Sequence, residues 1–388
     1  MRQSTISVQA AQETPDSTVF SEESPLLALD LFAGAGGMTL GLERAGFRVI
    51  YANELSPDAS ATYHYNFPGV KLETCDIRKV DAERLHAELG EPRIDVIAAG
   101  PPCQGFSSAG RKNSRDPRNS LYKEVIRFAK VFRPRVIVIE NVLGMVVARK
   151  GKYLAQIEDD LESIGYVPYD KVLSATSFGV PQGRKRVFII AILPGTPAES
   201  IFPKGQRTRV SVSQAIADLS FLGVGEACSE YRLPARSGYQ RAMRARATLL
   251  HNHESPRHSK LLQRFFSRVP QGVNARNVPR IRSTGKRARL KFHPRRPSHT
   301  LTTLPEDFIH YSKNRIPTVR EMARLQSFPD HFVFLGPRTT GGPERTRKCP
   351  QYTQVGNAVP PLLAESVFRC LAQVLRSPRE MLTARTQN

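Results

Sequence analysis

The chain of 388 residues has no apolar run approaching the roughly 18 residues needed to span a bilayer. Its polar, acidic start lacks the basic end and apolar stretch of a signal peptide. A membrane partner is therefore not expected, and the expected compartment is the cytoplasm. Cysteine is also sparse. Five residues, at positions 75, 103, 228, 349 and 370, lie scattered without any C-x-x-C pair. An odd, dispersed set excludes a disulfide framework and a cysteine-rich zinc site. His251, His253 and His258, with Cys228 upstream, fit no common zinc spacing, so no metal is expected. A G-x-G-x-x-G dinucleotide fingerprint is missing as well.

What is present is ordinary in amount and uneven in placement. Apolar residues make up 40% and charged residues 24%, as in a globular enzyme. The net charge is +22. Residues 1–25 carry 1 basic and 4 acidic side chains, and residues 26–190 carry 23 and 19. Residues 191–290 carry 18 basic and only 5 acidic, and 291–388 carry 15 and 7. A nearly neutral block followed by a strongly basic one points to chemistry in the first and a polyanion held by the second.

Hydrophobic patterning divides the chain accordingly. Residues 1–25 read as a tail. From Leu26 the pattern runs strand, turn, helix, repeatedly. Strands are expected at Leu26–Phe32, Arg48–Ala52, Ile94–Ala99 and Val136–Ile139, and a helix around Leu121–Val131. Short buried strands alternating with helices indicate an α/β fold with a doubly wound, mostly parallel sheet. This block covers 26–194. Residues 195–290 are rich in Arg, Pro, Ser and Gly, and read as a separate, smaller, loop-rich basic domain. Residues 291–376 return to the first domain, with Gly356-Asn357 as a turn before a helix, and 377–388 form a second tail.

In an open parallel sheet, ligands bind beyond the carboxyl ends of the strands. The unusual residues fall there. Strand one ends in Phe32-Ala33-Gly34-Ala35-Gly36-Gly37, strand two in Asn53-Glu54, and Asp76-Ile77 lies at a further end. Strand three ends in Gly100-Pro101-Pro102-Cys103-Gln104-Gly105, and strand four in Glu140-Asn141-Val142. A carboxylate at the position of Glu54 can accept both hydroxyls of a ribose, which leaves a nicotinamide dinucleotide or another adenosine compound open. Cys103 favours the second. Two prolines stiffen the chain before it, and a thiol on a rigid strand-end turn suits a nucleophile. Glu140, at a neighbouring end, can reach the same substrate as an acid.

These residues carry a resemblance. Asp30–Gly37 (DLFAGAGG), Gly100–Ser107 (GPPCQGFS), Glu140–Val142 (ENV), Gln182–Arg186 (QGRKR) and Gly356–Pro361 (GNAVPP) resemble the ordered motifs of cytosine-5 DNA methyltransferases. Asp116–Asn119 and Arg320–Asp330 are similar to further blocks of that family. The resemblance covers 26–193 and 295–374, and implies a Rossmann-like S-adenosylmethionine-dependent methyltransferase of the bacterial restriction-modification type. It implies Cys103 as the thiolate adding to carbon 6 of cytosine, Glu140 as proton donor to ring nitrogen 3, and Arg186 at the base's carbonyl oxygen. Arg184 would support the site or a phosphate. S-adenosyl-L-methionine would lie against Phe32, Gly34 and Gly36, with Glu54 on the ribose, Asp76 and Ile77 near the adenine, and Asn357 and Val359 closing the pocket.

The base must be flipped out of the duplex, and residues 104–123, with Gln104 and Ser107, are expected to close behind it. The basic 195–290 segment becomes a target recognition region, with Arg241, Arg244, Arg246, Arg287 and Arg289 as expected DNA contacts. Double-stranded DNA is the expected partner of a monomer, with a restriction endonuclease acting separately. An excess of 42 Arg over 15 Lys agrees with a bacterial source. Three rival readings are an RNA (tRNA) cytosine methyltransferase on the same scaffold, a non-catalytic DNA-binding relative, and a nicotinamide oxidoreductase. The basic insert disfavours the first, intact Cys103, Glu140 and Arg186 the second, and the glycine spacing the third.

Overall fold

The computed structural model describes residues 25–102, 117–147, 151–196, 200–207, 209–278, 289–339, 344 and 347–377. Cys103, Gln104, Ser107, Arg287, most of the expected closing loop and nearly all of both tails lie outside the described residues.

The first half alternates as the pattern requires. β1 (Leu26–Leu31) leads to α1 (Gly37–Arg44), β2 (Phe47–Glu54) to α2 (Pro57–Asn66), and β3 (Lys71–Thr74) to α3 (Ala82–Glu88). β4 (Val96–Ala99), α4 (Tyr122–Phe132), β5 (Val136–Val142), α5 (Gly144–Val147) and α6 (Lys152–Glu162) follow. β6 (Val167–Ser174), β7 (Gln182–Gly183) and β8 (Lys185–Ile192) complete the block. The main sheet has the order β3-β2-β1-β4-β5-β8-β6. Its first five strands are parallel, while β8 runs antiparallel to both β5 and β6. The strand β6 carries no alternating apolar signal, because it is an edge whose side chains are mostly exposed.

Successive strand residues point to opposite faces, and the two cores divide by that rule. Ala28, Val96, Ala98, Val136, Val138 and Phe188 pack on one side with Leu40 of α1 and Met322, Val367 and Phe368 from the end of the chain. Leu29, Ile97, Ala99, Ile137, Ile139 and Ile189 pack on the other with Leu85, Phe128, Ile157 and Leu161. Strands buried on both faces read as continuous apolar runs, as VIVI in β5 does.

The second half holds α7 (Val212–Ile216), α8 (Gly238–Arg244), α9 (Lys260–Arg268), three two-residue strands, β9 (Leu290–Lys291), β10 (Ser298–His299) and β11 (Phe308–Ile309), then α10 (Val319–Leu325), α11 (Gln351–Asn357) and α12 (Pro361–Arg376). Two expectations change here. Gly356 and Asn357 end α11 instead of forming a free turn. The boundary at 195 falls inside a shared core, because Ile201, Val212, Ala215 and Ile216 bury in the same cluster as α12. Among the described residues, a small cluster around Phe265, Phe266, Val269, Ile309 and Ile316 stands apart. The stretch Gln351–Arg376 has the length and mean hydropathy of a membrane span. Its apolar side chains Leu363, Val367, Phe368 and Leu371 are instead buried in this protein core.

Candidate active site

At the end of β1 the chain turns sharply. Phe32, Gly34 and Gly36 all have positive φ, at 60°, 58° and 93°. Gly36 has a second constraint, since a Cβ there would overlap the Phe67 ring. Over Gly34 the opposite holds, and the space a Cβ would occupy is open to 4 Å. Glu54 holds this turn in place. Its Oε2 accepts from Gly34 N at 2.9 Å and its Oε1 from Ser56 N at 2.8 Å. Burial pushes its carboxyl upward, against the pull of those backbone donors. Asn53 reaches across to β3, donating to the carbonyls of Glu73 at 3.2 Å and Cys75 at 3.1 Å. That contact brings Asp76 and Ile77 beside the end of β2. Asp76 Oδ1 accepts from Arg78 N at 3.0 Å and Nε at 2.9 Å, and the hydrogen bonds of Arg78 hold its carboxyl down at about 2.

The far end of the chain meets the same turn. The Val359 carbonyl lies so close to Gly37 that a Cβ there would collide with it. Gln354 accepts from Thr62 Oγ1 at 2.7 Å and fixes α11 against α2. Of the eight expected cofactor residues, the structure gathers Phe32, Gly34, Gly36, Glu54 and Val359 around one turn. It joins Asp76 and Ile77 to that turn through Asn53, and leaves the Asn357 side chain exposed at the end of α11. The open face at Gly34, bounded by the half-buried Glu54 carboxylate, fits an adenosine-type group.

Asp30 is legible in the DLFAGAGG run, yet its polar role is not. It is fully buried, with Oδ2 accepting from Thr39 Oγ1 at 2.6 Å, and Thr39 in turn meets Tyr63 Oη at 2.8 Å. Its Oδ1 has no hydrogen-bond partner, and burial raises its carboxyl to about 7. The network braces the glycine turn from behind.

The second group lies at the ends of β5 and β8. Antiparallel pairing sets Glu140 opposite Phe188 and Val142 opposite Arg186, so the two charged side chains are diagonal neighbours. Arg186 Nε stands 2.9 Å from Glu140 Oε1. The contact is a short ion pair, and Oε1 has no further partner. Burial raises the Glu140 carboxyl, with Arg186 and then Arg184 opposing. The result is an acid-leaning carboxyl beside a fixed guanidinium. Asn141 Nδ2 donates to the Pro101 carbonyl at 3.0 Å, which ties the end of β5 to the Pro101-Pro102 turn that runs directly into Cys103.

Arg184 is 1% exposed, which is incompatible with a phosphate contact. Its Nη1 donates to the carbonyls of Gly356 at 3.1 Å and Leu301 at 3.4 Å, and its Nη2 to that of Asn357 at 3.5 Å. It bolts the QGRKR strand to the end of α11 and is a positioning residue. Gln182, unmarked in the sequence beyond its motif, does similar work by donating to Gln326 Oε1 and accepting from Leu301 N at 2.9 Å.

The basic segment distributes its arginines unevenly. Arg241 and Arg246 are exposed. Arg244 is not a free contact. Its Nε donates to Asp218 Oδ2 at 2.8 Å and its guanidinium lies 4.0 Å from the Tyr231 ring centroid. Arg289 is buried over the Phe266 ring. Internal partners therefore replace the expected DNA contacts at these two positions. The deepest charges belong to the REMARLQSFPD block. Arg324 is flanked by Asp330, at 2.5 Å, and Asp218, at 3.3 Å, and Arg315 forks onto both oxygens of Glu321 at 2.7 Å. His253 and His258 serve the fold, meeting Thr318 Oγ1 at 3.0 Å and accepting from Ile316 N at 3.3 Å.

A parallel sheet with a glycine turn at its switch point and an acid–guanidinium pair two strands away defines a methyltransferase-type site. The family model for C-5 cytosine-specific DNA methylase matches residues 26–373, and the chain belongs to that family. It is 36% identical over 364 residues to the type II methyltransferase M.DdeI of Desulfomicrobium norvegicum, covering 87% of this chain and 86% of that one. It is 37% identical over 356 residues to the type II methyltransferase M1.HphI of Haemophilus parahaemolyticus, covering 90% and 87%. Among solved structures, a prophage-encoded DNA modification methyltransferase (E. coli) superposes with a TM-score of 0.74 at 26% identity, covering 91% of this chain and all of that one. The Entamoeba histolytica methyltransferase EhMeth, at 17% identity and a TM-score of 0.57, shares the fold. The protein is thus a DNA cytosine-5 methyltransferase, and membership of such a family implies S-adenosylmethionine as methyl donor.

Proposed function

We propose that the chain methylates cytosine in a specific duplex sequence through Cys103, with Glu140 and Arg186 holding the base. The observation that carries this reading is the buried Glu140–Arg186 pair at the end of β5, joined through Asn141 to the turn that leads into Cys103. Carbon 5 of cytosine is a poor nucleophile. The Cys103 thiolate adds to carbon 6, forming a carbon–sulfur bond, and the displaced ring electrons are accommodated as nitrogen 3 takes a proton from Glu140. Burial favours that proton's presence on Glu140 beforehand. The base's carbonyl oxygen, which gains electron density, faces Arg186. Carbon 5 of the resulting enamine then accepts a methyl group. Loss of the carbon 5 proton to water, with return of the nitrogen 3 proton to Glu140, expels the Cys103 thiolate and restores the aromatic ring.

S-adenosylmethionine supplies that methyl as an electrophilic sulfonium when bound. Phe32, Gly34 and Gly36 would cradle it, Glu54 would accept its ribose hydroxyls, Asp76 and Ile77 would meet the adenine, and Val359 with Asn357 would close the pocket. Both Glu54 oxygens already hold a backbone N–H, and each retains a lone pair for a hydroxyl. Exposed Arg241 and Arg246, with Arg287, would contact the DNA, and Gln104 and Ser107 would sit behind the flipped base. We place the chain in the bacterial cytoplasm, beside the nucleoid, as a monomer, with a separate restriction endonuclease of matching specificity.

DNA carrying 5-fluorocytosine tests covalency, since fluorine cannot leave as a proton and elimination stalls after methyl transfer. The wild type is expected to be trapped and Cys103→Ser to remain free. The same adduct from the Ser variant would remove Cys103 as nucleophile. Glu140→Gln keeps shape and a donor but delivers no proton. It is expected to bind cofactor normally and to lose at least about 10²-fold in methyl transfer.

A further inference from the structure

A cationic hollow lies away from the catalytic and cofactor residues. It is a cavity of about 590 Å³ that opens between loop 223–225, the start of α9 and loop 313–315, lined by Arg257, His258, Lys260, Gln263, Lys313 and Arg315. These segments are remote in sequence, so no motif or charge window marks the site. Arg257 and Lys260 are exposed and Lys313 is half-buried, so all three can meet a ligand from solvent. Among the described residues Arg257, Lys260 and Lys313 make no ion pair. The carboxylates nearby are engaged elsewhere. Glu226 accepts from Gly223 N at 2.7 Å, and Glu321 is forked by Arg315 at 2.7 Å.

The lining is also shaped to hold these charges. Gly225 has φ at 77°, and a Cβ there would stand 3.0 Å from Arg257 Cγ, so the bare backbone lets the arginine stem lie across the loop. His258 is kept neutral on this wall, accepting from Ile316 N at 3.3 Å, and burial, Arg289 and Arg315 press its imidazole down to about 4. At α9 the Ser259 hydroxyl accepts from Leu262 N at 3.2 Å, which leaves the first helical N–H groups of Lys260 and Leu261 without helix partners. Three cations without an ion pair and a polar wall around an open hollow match an oxyanion and nothing apolar.

We propose that this cavity grips the sugar–phosphate backbone of the DNA substrate, anchoring the duplex through Arg257, Lys260 and Lys313. The inference rests on the reading of the chain as a DNA methyltransferase and adds a site to it. Its placement suits the task. Loop 313–315 runs directly into α10, a seven-residue helix of roughly 10 Å, whose following residue Gln326 meets Gln182 of the catalytic strand and the Ala358 carbonyl. One short helix thus joins the cavity wall to the residues that position the catalytic strand.

The test is binding of a short random-sequence duplex, by anisotropy over a salt series, to the full chain and to the triple variant Arg257→Ala, Lys260→Ala, Lys313→Ala. Every phosphate no longer neutralised lowers the slope of log affinity against log salt by about 0.9. The triple variant is expected to lose at least about one unit of slope and several-fold in affinity. Its affinity for S-adenosylhomocysteine without DNA should match the wild type, which reports an intact fold. The charge-keeping triple Arg257→Lys, Lys260→Arg, Lys313→Arg should retain the wild-type slope. Unchanged slope and affinity in the alanine variant would overturn the proposal, as would an equal loss in the charge-keeping one. Calorimetry with inorganic phosphate separates the sources. Phosphate binding abolished in the alanine variant with DNA binding intact would make the cavity a free-anion site instead. A wild type that bound no duplex at all would count against the DNA reading itself.

Discussion

The catalytic edge and the basic half treat charge in opposite ways. At the ends of β5 and β8 one carboxyl and one guanidinium are buried, close and imperfectly satisfied. Glu140 Oε1 is 2.9 Å from Arg186 Nε and has no further partner. In the second half the deepest ion pairs are multiply partnered. Arg324 has Asp218 and Asp330 on either side, and Arg315 has both oxygens of Glu321. A single ion pair at a strand end leaves its charges room to meet a substrate, whereas a network of several opposite charges commits them to one another. Burial alone does not tell them apart, since both groups are almost fully withdrawn from water. An open hydrogen-bonding position does not tell them apart either, since Asp30 Oδ1, Arg184 Nε and Arg289 Nε also have no partner. What differs is that Glu140 meets one cation while Arg324 stands between two carboxylates.

The largest effect expected from breaking this contrast is on stability. Arg324→Ala leaves Asp218 and Asp330 facing each other in the core without their shared cation. Removing one partner of a buried ion network costs about 3–5 kcal/mol, so the urea midpoint should fall sharply. Because Asp218 joins α10 to the segment before α8, the loss should reach the core that α7, α10 and α12 share. A midpoint within about 0.5 kcal/mol of wild type would mean that the network is spectator packing.

A smaller effect belongs to Asp30, which resembles the catalytic edge in keeping one oxygen unpartnered. Its carboxyl stands near 7 in the folded chain against 3.8 when free. The folded state therefore holds a proton that the unfolded chain releases between those values. The stability this confers is fully present below about pH 4 and is lost as pH rises through about 7. Asp30→Asn removes the titration. The wild type should lose roughly 1–3 kcal/mol relative to the variant between pH 4 and 8, after discounting for relaxation around the buried group. Thermal midpoints of the two proteins across that range check it, and parallel curves would return Asp30 to an ordinary pKa.

Much of the first half is legible in the sequence because its signals are local. An apolar run ending in a glycine turn states both a strand and its carboxyl end, so Phe32, Gly34, Gly36, Glu54 and Glu140 fall on one edge from the residue pattern alone. β6 is not legible, since an exposed edge strand has no buried face to impose alternation. Asp30, Asn53 and Gln182 are invisible as polar anchors, because their partners lie 9 to 144 residues away. The basic half shows the sharper limit. Composition reports that arginines are present but not which way they face. Arg244 and Arg289 read like Arg241 and Arg246 in the sequence, and only tertiary partners separate them.

That separation gives the finest test. Arg244 and Arg246 lie two residues apart at the end of α8, with similar sequence surroundings. Arg244 meets Asp218 and the Tyr231 ring, while Arg246 is exposed and makes no ion pair among the described residues. Arg244→Ala should cost about 1–2 kcal/mol, less than Arg324→Ala, because Asp218 keeps its second cation. Arg246→Ala should leave stability within about 0.5 kcal/mol. In DNA binding the order should reverse. An exposed arginine that neutralises a phosphate contributes about one unit of salt slope, and an arginine committed to Asp218 contributes none directly. Measuring both quantities on both variants decides the matter without any assumption about the target sequence. If Arg244→Ala lowered the slope and left stability untouched, Asp218 would not be its true partner. The division between structural and substrate-facing arginines would then fail at its most closely matched pair.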